Sequence, residues 1–210
     1  MTSEKRRQTT TPVPEPVARI GELMSTFGRA WCLCGGWAVD AWLGRQTREH
    51  DDVDVAIFCG DEGAMFDHLA GWELIAHGTL DADHGEHWDG RPLTFMAHVH
   101  ARSRNGFILE VLLNERSRRD WILSRDPRIT LPLDRCLRQS AWGMPTAAPA
   151  ALLFYKATAY FGVEGITDRS RDEIDFFALL PRVTSDQRGW LREAISLVQP
   201  GHPWLARLSR

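Results

Sequence analysis

Asp52 and Asp54 stand two residues apart in DDVDVAIF (51–58), a run whose other members are mostly aliphatic. Alternation along a strand puts both acids on one face and Val53, Val55 and Ile57 on the other. Two carboxylates sharing a face repel each other unless solvent, a cation or a metal compensates them. Asp51 faces away from Asp52 and reads as a solvent-facing residue. A third acid, Glu110, lies in GFILEVLLNE (106–115), a run apolar enough to be a central strand. A lone carboxylate there needs a partner. That partner is either one of the chain's many arginines or the Asp52–Asp54 pair on an adjacent strand. Three carboxylates at one sheet edge call for hard divalent cations such as Mg²⁺, which take oxygen ligands and leave positions open for phosphate oxygens. Two-metal phosphoryl-transfer sites are built this way, with ions roughly 3.5–4 Å apart.

Upstream, Gly35-Gly36 follows a short apolar strand pattern and opens a helical one. A strand, two glycines and a helix start let backbone N–H groups approach an anion closely. Glycine pairs in turns are common, so the pair gains weight only from the D-x-D that follows it in the same compact run.

The stretch GGWAVDAWLGRQTREHDDVDV (35–55) resembles the signature of the nucleotidyltransferase superfamily, which has a DNA polymerase β-like fold. It is most similar to the aminoglycoside (2''-adenylyltransferase-like) and lincosamide antibiotic nucleotidyltransferases, with their GGW-x-x-D and G-[KR]-x-T-R-x-H-x-D-[IV]-D segments. The resemblance implies that Gly35 and Gly36 hold the nucleotide triphosphate and that Asp52 and Asp54 bind Mg²⁺. It makes Glu110 the third acid, either a metal ligand or the base that deprotonates the acceptor hydroxyl. Arg48 then contacts phosphate, or alternatively pairs with Asp40 or Glu49. His50 reads as a structural hydrogen-bonding residue.

A second set lies in APAALLFYKATAY (148–160) and RSRDEIDFFALLP (169–181). In the related enzymes a Lys is followed by a helix with an Arg/Lys and two Asp. Lys156 would therefore reach the β/γ-phosphates with Asp172 or Asp175 orienting it. The competing interpretation is an ordinary amphipathic helix pair with a surface bridge worth about 0–1 kcal/mol. In DADHGEHWDG (81–90), Asp83, His84, Glu86, His87 and Asp89 match no closed zinc spacing. That loop is either simply solvated or an acceptor-recognition loop with Trp88 as a stacking surface.

The elements that must position these groups follow from periodicity. Helices are expected over 16–27, 37–43 (closed by Gly44) and 63–70. Strands are expected over 31–34, 53–58, 72–77, 93–99 and 107–113, with short strands within 121–139. Beyond Pro145 the pattern is helical, over 150–161, 169–180 and 185–197, with Ser185 and Asp186 as caps. The expected fold is α+β, a mixed central sheet flanked by helices with a C-terminal helical part. Its divisions are a disordered lead-in (1–15), a nucleotidyltransferase domain (16–143) and a helical region (144–210).

Composition is ordinary for a globular chain, with 43% hydrophobic and 25% charged among 210 residues. The net charge of −3 gives no electrostatic case for nucleic acid. No apolar stretch approaches the roughly 18 residues that span a bilayer, and the N-terminus lacks the apolar core of a secretory signal. The four cysteines read as small buried hydrophobes in a reducing cytoplasm. Several of the nine tryptophans are candidates to line a ligand pocket. The expected activity is Mg²⁺-dependent transfer of AMP from ATP to a hydroxyl of a small molecule, an antibiotic by resemblance. The alternatives are a toxin-type nucleotidyltransferase acting on protein or RNA, and a non-catalytic nucleotide-binding module.

Overall fold

The structure, a computed structural model, describes residues 12–78, 85–94, 97–158 and 169–209. Helix α1 (Glu15–Met24) buries Val17, Ile20 and Met24, one stripe at helical spacing. Strand β1 (Cys32–Leu33) leads into α2 (Gly35–Leu43), which ends where Gly44 takes a left-handed φ of 71°. Then come β2 (Val53–Phe58), α3 (Glu62–His68), β3 (Glu73–His77), β4 (Glu86–His87), β5 (His98–Arg102) and β6 (Ile108–Arg116). Shorter pieces follow: β7 (Asp120–Ile122), β8 (Thr130–Pro132), α4 (Leu133–Cys136), β9 (Leu137–Gln139) and β10 (Pro145–Ala147). The chain closes with α5 (Pro149–Thr158), α6 (Ser170–Leu179), α7 (Ser185–Val198) and α8 (Leu205–Leu208).

The strands form one mixed sheet in the order β4-β3-β5-β6-β2-β1-β10-β9, with β7 and β8 branching from β6. β2 runs parallel to β6 and antiparallel to β1, which makes it central. Val53, Val55 and Ile57 are almost fully buried, and α1 and α2 pack against β2. The alternate residues Asp54, Ala56 and Phe58 line a cavity instead. β10 lies beyond residue 143 and pairs with β1, so the sheet's last strand comes from the segment that leads into the helices.

Several expected boundaries move. The strand expected over 93–99 is β5, His98–Arg102, so HVHAR forms its body. α7 is capped by Thr184, not Ser185: the Thr184 side chain accepts from the Gln187 N–H and Gln187 reaches back, a reciprocal capping box. Parts of the lead-in (1–11), of the 80–92 loop including Asp83 and His84, and of the expected 150–161 helix lie outside the described residues.

Candidate functional site

The parallel β2–β6 register sets Asp54 directly opposite Glu110. Asp52, two residues earlier, shares their face, and each of the three offers an oxygen within 4.8 Å of the others'. The expected strand placement is met for Asp54 and Glu110 on adjacent strands, while Asp52 lies in the bend just before β2. No arginine pairs with Glu110 among the described residues; its flanking groups are imidazoles. Burial, then the charges of Asp52 and Glu110, push the Asp54 carboxyl up to about 8, against a smaller opposing pull from Lys156. Glu110 is also raised, first by burial and then by Asp52, and is partly relieved by a hydrogen bond from Asp54.

The glycine pair has a steric reason that the sequence reading lacked. Gly35 has a φ of +60°, and a Cβ there would lie 1.7 Å from Asp54 Oδ2. A Cβ on Gly36 would lie 2.3 Å from His50 Nδ1 and 2.7 Å from the Arg48 guanidinium. Two side-chain-free positions let the start of α2 press against Asp54 on one side and Arg48 and His50 on the other.

The residues between the glycines and the acids form a buried scaffold. Asp40, fully buried, accepts from the Thr47 N–H at 3.1 Å and from the Thr47 hydroxyl. Its other oxygen meets His50 Nε2 at 2.6 Å, and Trp37 packs on the imidazole at 4.4 Å between centroids. Asp40, Thr47 and His50 therefore pin the loop that delivers Asp52 and Asp54 to β2, the structural part expected of His50. Asp40 is thereby occupied, and the pairing of Arg48 with Asp40 or with the Glu49 side chain does not occur. Arg48 instead bonds Asp175 of α6 at 3.4 Å and donates to the Glu49 backbone carbonyl at 3.1 Å.

Asp175 is 1% exposed and also meets Lys156 Nζ at 2.6 Å. Asp172 meets Lys156 at 3.4 Å and Arg169 at 3.3 Å, so both helical aspartates orient the lysine. This is a part-buried network rather than a surface bridge. Lys156, Asp54, Glu110 and Gly35 all line a cavity of about 550 Å³, inside the usual range for small-molecule sites. Phe58, Trp121 and Tyr155 give the same cavity an aromatic part. Asn114 Oδ1 accepts from Trp121 Nε1 at 2.9 Å and from the Tyr155 hydroxyl at 2.6 Å, fixing both rings.

Trp88 is not a stacking surface. It is 4% exposed, edge-on to Phe66, and its Nε1 donates to the Arg91 carbonyl. Glu86 is engaged by Arg91 at 2.5 Å. The sequence reading also missed three histidines. His98 and His100 lie on β5, with His100 opposite Glu110, and His77 on β3 is opposite His98. Their rings pack at 4.4–5.4 Å between centroids. Burial and the other two imidazoles lower His98 to about 4, leaving its ring neutral near pH 7. The signal was present as H-x-H alternation at 98–100.

The family model described as Aminoglycoside-2''-adenylyltransferase matches residues 16–85, which contain the glycine pair, the Asp40–Thr47–His50 scaffold and both strand aspartates. No curated protein matches the sequence. The solution structure of the antibiotic-resistance factor ANT(2'')-Ia is similar at 16% identity, with a TM-score of 0.59 over 87% of this chain and 90% of that one. The crystal structure of ANT(2'')-Ia with adenylyl-2''-tobramycin gives 14% identity and 0.58, over 86% and 95%. The lincomycin-bound lincosamide adenylyltransferase LnuA gives 17% identity and 0.54, over 81% and 98%. The resemblance carried by residues 35–55 is thus matched by the family model over residues 16–85, and the chain has the α+β nucleotidyltransferase fold, with aminoglycoside and lincosamide nucleotidyltransferases as its structural neighbours.

Proposed function

We propose that the protein is a Mg²⁺-dependent adenylyltransferase that moves AMP from ATP onto a hydroxyl of an aminoglycoside- or lincosamide-class antibiotic, releasing pyrophosphate. The observation that carries this reading is the Asp54–Glu110 cross-strand pair with Asp52 beside it, facing a cavity that Lys156 and Gly35 also line. The donor set fits hard cations, being all oxygen, and burial together with the charges of Asp52 and Glu110 raises the Asp54 carboxyl to about 8. Mg²⁺, as one or two ions on Asp52, Asp54 and Glu110, would offset the negative charge that grows on the phosphates during in-line displacement.

The chain's own groups supply the rest. Glu110, its carboxyl raised by burial and by Asp52, serves either as a ligand of that Mg²⁺ or as the base that takes the acceptor's hydroxyl proton. The acceptor oxygen then bonds the α-phosphorus as the bond to the leaving pyrophosphate breaks. Lys156, positioned by Asp172 and Asp175, faces the cavity and neutralises the leaving phosphates. Gly35 lines the cavity at the start of α2, where backbone N–H groups suit the nucleotide phosphates, and Arg48 lies close over Gly36 as a second positive group for them. The aromatic wall of Phe58, Trp121 and Tyr155 suits a nucleobase or a sugar ring face. Four unpaired cysteines suit a reducing cytoplasm, and no helix among the described residues is long and apolar enough to cross a membrane.

The test is an antibiotic panel incubated with ATP and Mg²⁺, read by pyrophosphate release and by an added AMP mass on the acceptor. Transfer to at least one antibiotic, abolished in Asp52→Asn/Asp54→Asn, is the expected result. Antibiotics left unmodified throughout the panel would refute the acceptor class, and transfer undiminished in the double variant would refute the site.

A further inference from the structure

The imidazoles beside Glu110 are not accounted for by adenylyl transfer. His98 and His100 are two residues apart on β5, so both project from the same face, and their ring centroids are 5.0 Å apart. Both Nε2 atoms approach a single carboxylate oxygen, Glu110 Oε1, at 3.6 Å and 3.9 Å. His77 stacks on His98 at 5.4 Å with a 16° tilt, backing that ring from the neighbouring strand. The His98, His100 and Glu110 side chains are 31%, 49% and 20% exposed, open enough for an ion to enter and to keep a water.

Ligand atoms about 2.1 Å from a tetrahedral zinc lie about 3.4 Å from one another. The observed nitrogen–oxygen separations are within half an ångström of that figure, so small side-chain rotations close the site. Two imidazoles and one carboxylate with an open fourth position form a familiar zinc donor set. Imidazole nitrogen is a poor match for Mg²⁺, which takes oxygen. The set therefore differs in kind from the all-oxygen triad beside it.

We propose that His98, His100 and Glu110 form a zinc-class transition-metal site, distinct from the Asp52–Asp54–Glu110 site and joined to it through the shared Glu110. An ion held by the histidines draws Glu110 toward β5 and away from Asp52 and Asp54. Zinc thus acts as a brake on transfer. The braking rests on the proposed activity; the binding does not.

Binding is tested first, without nucleotide or acceptor, by titrating the full chain with Co²⁺ and reading the visible absorption of a low-symmetry cobalt site. The wild type is expected to bind one Co²⁺, which Zn²⁺ displaces and excess Mg²⁺ does not. His98→Ala/His100→Ala is expected to lose the signal, His100→Gln to weaken binding at least tenfold, and Asp52→Asn/Asp54→Asn to keep it. His100 is half-exposed, so its replacement leaves folding intact, and thermal unfolding of each variant checks this. A signal unchanged in both histidine variants, or one lost in the aspartate variant, overturns the site. If binding behaves as expected but Zn²⁺ leaves adenylyl transfer unaffected, the site stands and the brake is refuted. An absence of adenylyl transfer in any condition bears on the proposed function alone.

Discussion

Asp54→Asn separates the cost of the acidic cluster from its use. In the metal-free protein Asp54 is held near 8 against an ordinary value of 3.8. Below pH 4 the carboxyl is protonated whether the chain is folded or not, and the group contributes nothing. Between pH 4 and 8 the unfolded chain ionises it and the folded chain does not, so the folded state holds more protons and loses stability as pH rises. Above pH 8 the penalty is complete. Each of the roughly four pH units is worth ~1.4 kcal/mol, which sets a ceiling of ~6 kcal/mol. Asp54 titrates together with Glu110, and an amide relieves the repulsion only in part, so we expect about 2–3 kcal/mol of stabilisation at pH 8. For a chain of this length that is a rise in Tm of roughly 5–10 °C, shrinking toward zero at pH 4. Asparagine keeps the shape and can still donate to Glu110. Differential scanning fluorimetry across pH, with EDTA, measures the effect. Mg²⁺ with ATP should then raise the Tm of the wild type and leave the variant unmoved. A variant no more stable than wild type at pH 8, or equally stabilised at pH 4, would refute the reasoning.

Gly35→Ala would force a Cβ into Asp54 Oδ2 and a side chain onto a φ of +60°, so Mg²⁺-dependent transfer should fall at least ~100-fold while the far-UV spectrum is kept. Lys156→Met leaves Asp175 with Arg48 as its cation among the described residues; we expect a loss of about 2 kcal/mol in urea unfolding and a raised KM for ATP. Asp40→Asn breaks the contact with His50 and should cost about 2 kcal/mol, seen as a lower Tm and as a mobile 46–52 backbone in hydrogen exchange. Thr184→Ala removes the α7 cap and should cost about 1 kcal/mol with transfer unchanged.

The acids were legible because a D-x-D beside an aliphatic run and a glutamate inside FILEVLL each defy burial and call for a partner, which each could find in the other. What the chain could not announce is the register. Asp54 meets Glu110 through a parallel pairing of strands separated by β3, β4 and β5, and no local pattern encodes that alignment. Arg48 found its partner 127 residues away on α6, so nearby Asp40 and Glu49 were the natural but wrong choices. The histidines were hidden by a strand expected to begin at Leu93, which split HVHAR between strand and loop; once β5 starts at His98, both imidazoles fall on the acidic face. The Thr184 cap was readable from Gln187 three residues on, and the adjacent Ser185 masked it. Gly35-Gly36 was legible as a turn, yet its crowding by Asp54 and His50 exists only in three dimensions.

Asp175 binds Arg48, from the loop before β2, and Lys156, from α5, through one almost inaccessible oxygen. That oxygen works as a latch. If α6 lifts from the body of the protein, Arg48 and Lys156 lose their anchor together, and two positive charges lose their placement at once. Activity should therefore vanish in denaturant before the sheet melts, making it a reporter of α6 docking rather than of global unfolding. A ligand that brings negative charge to Lys156 would compete with Asp175 for it, so the latch also couples the helical tail to what occupies the cavity.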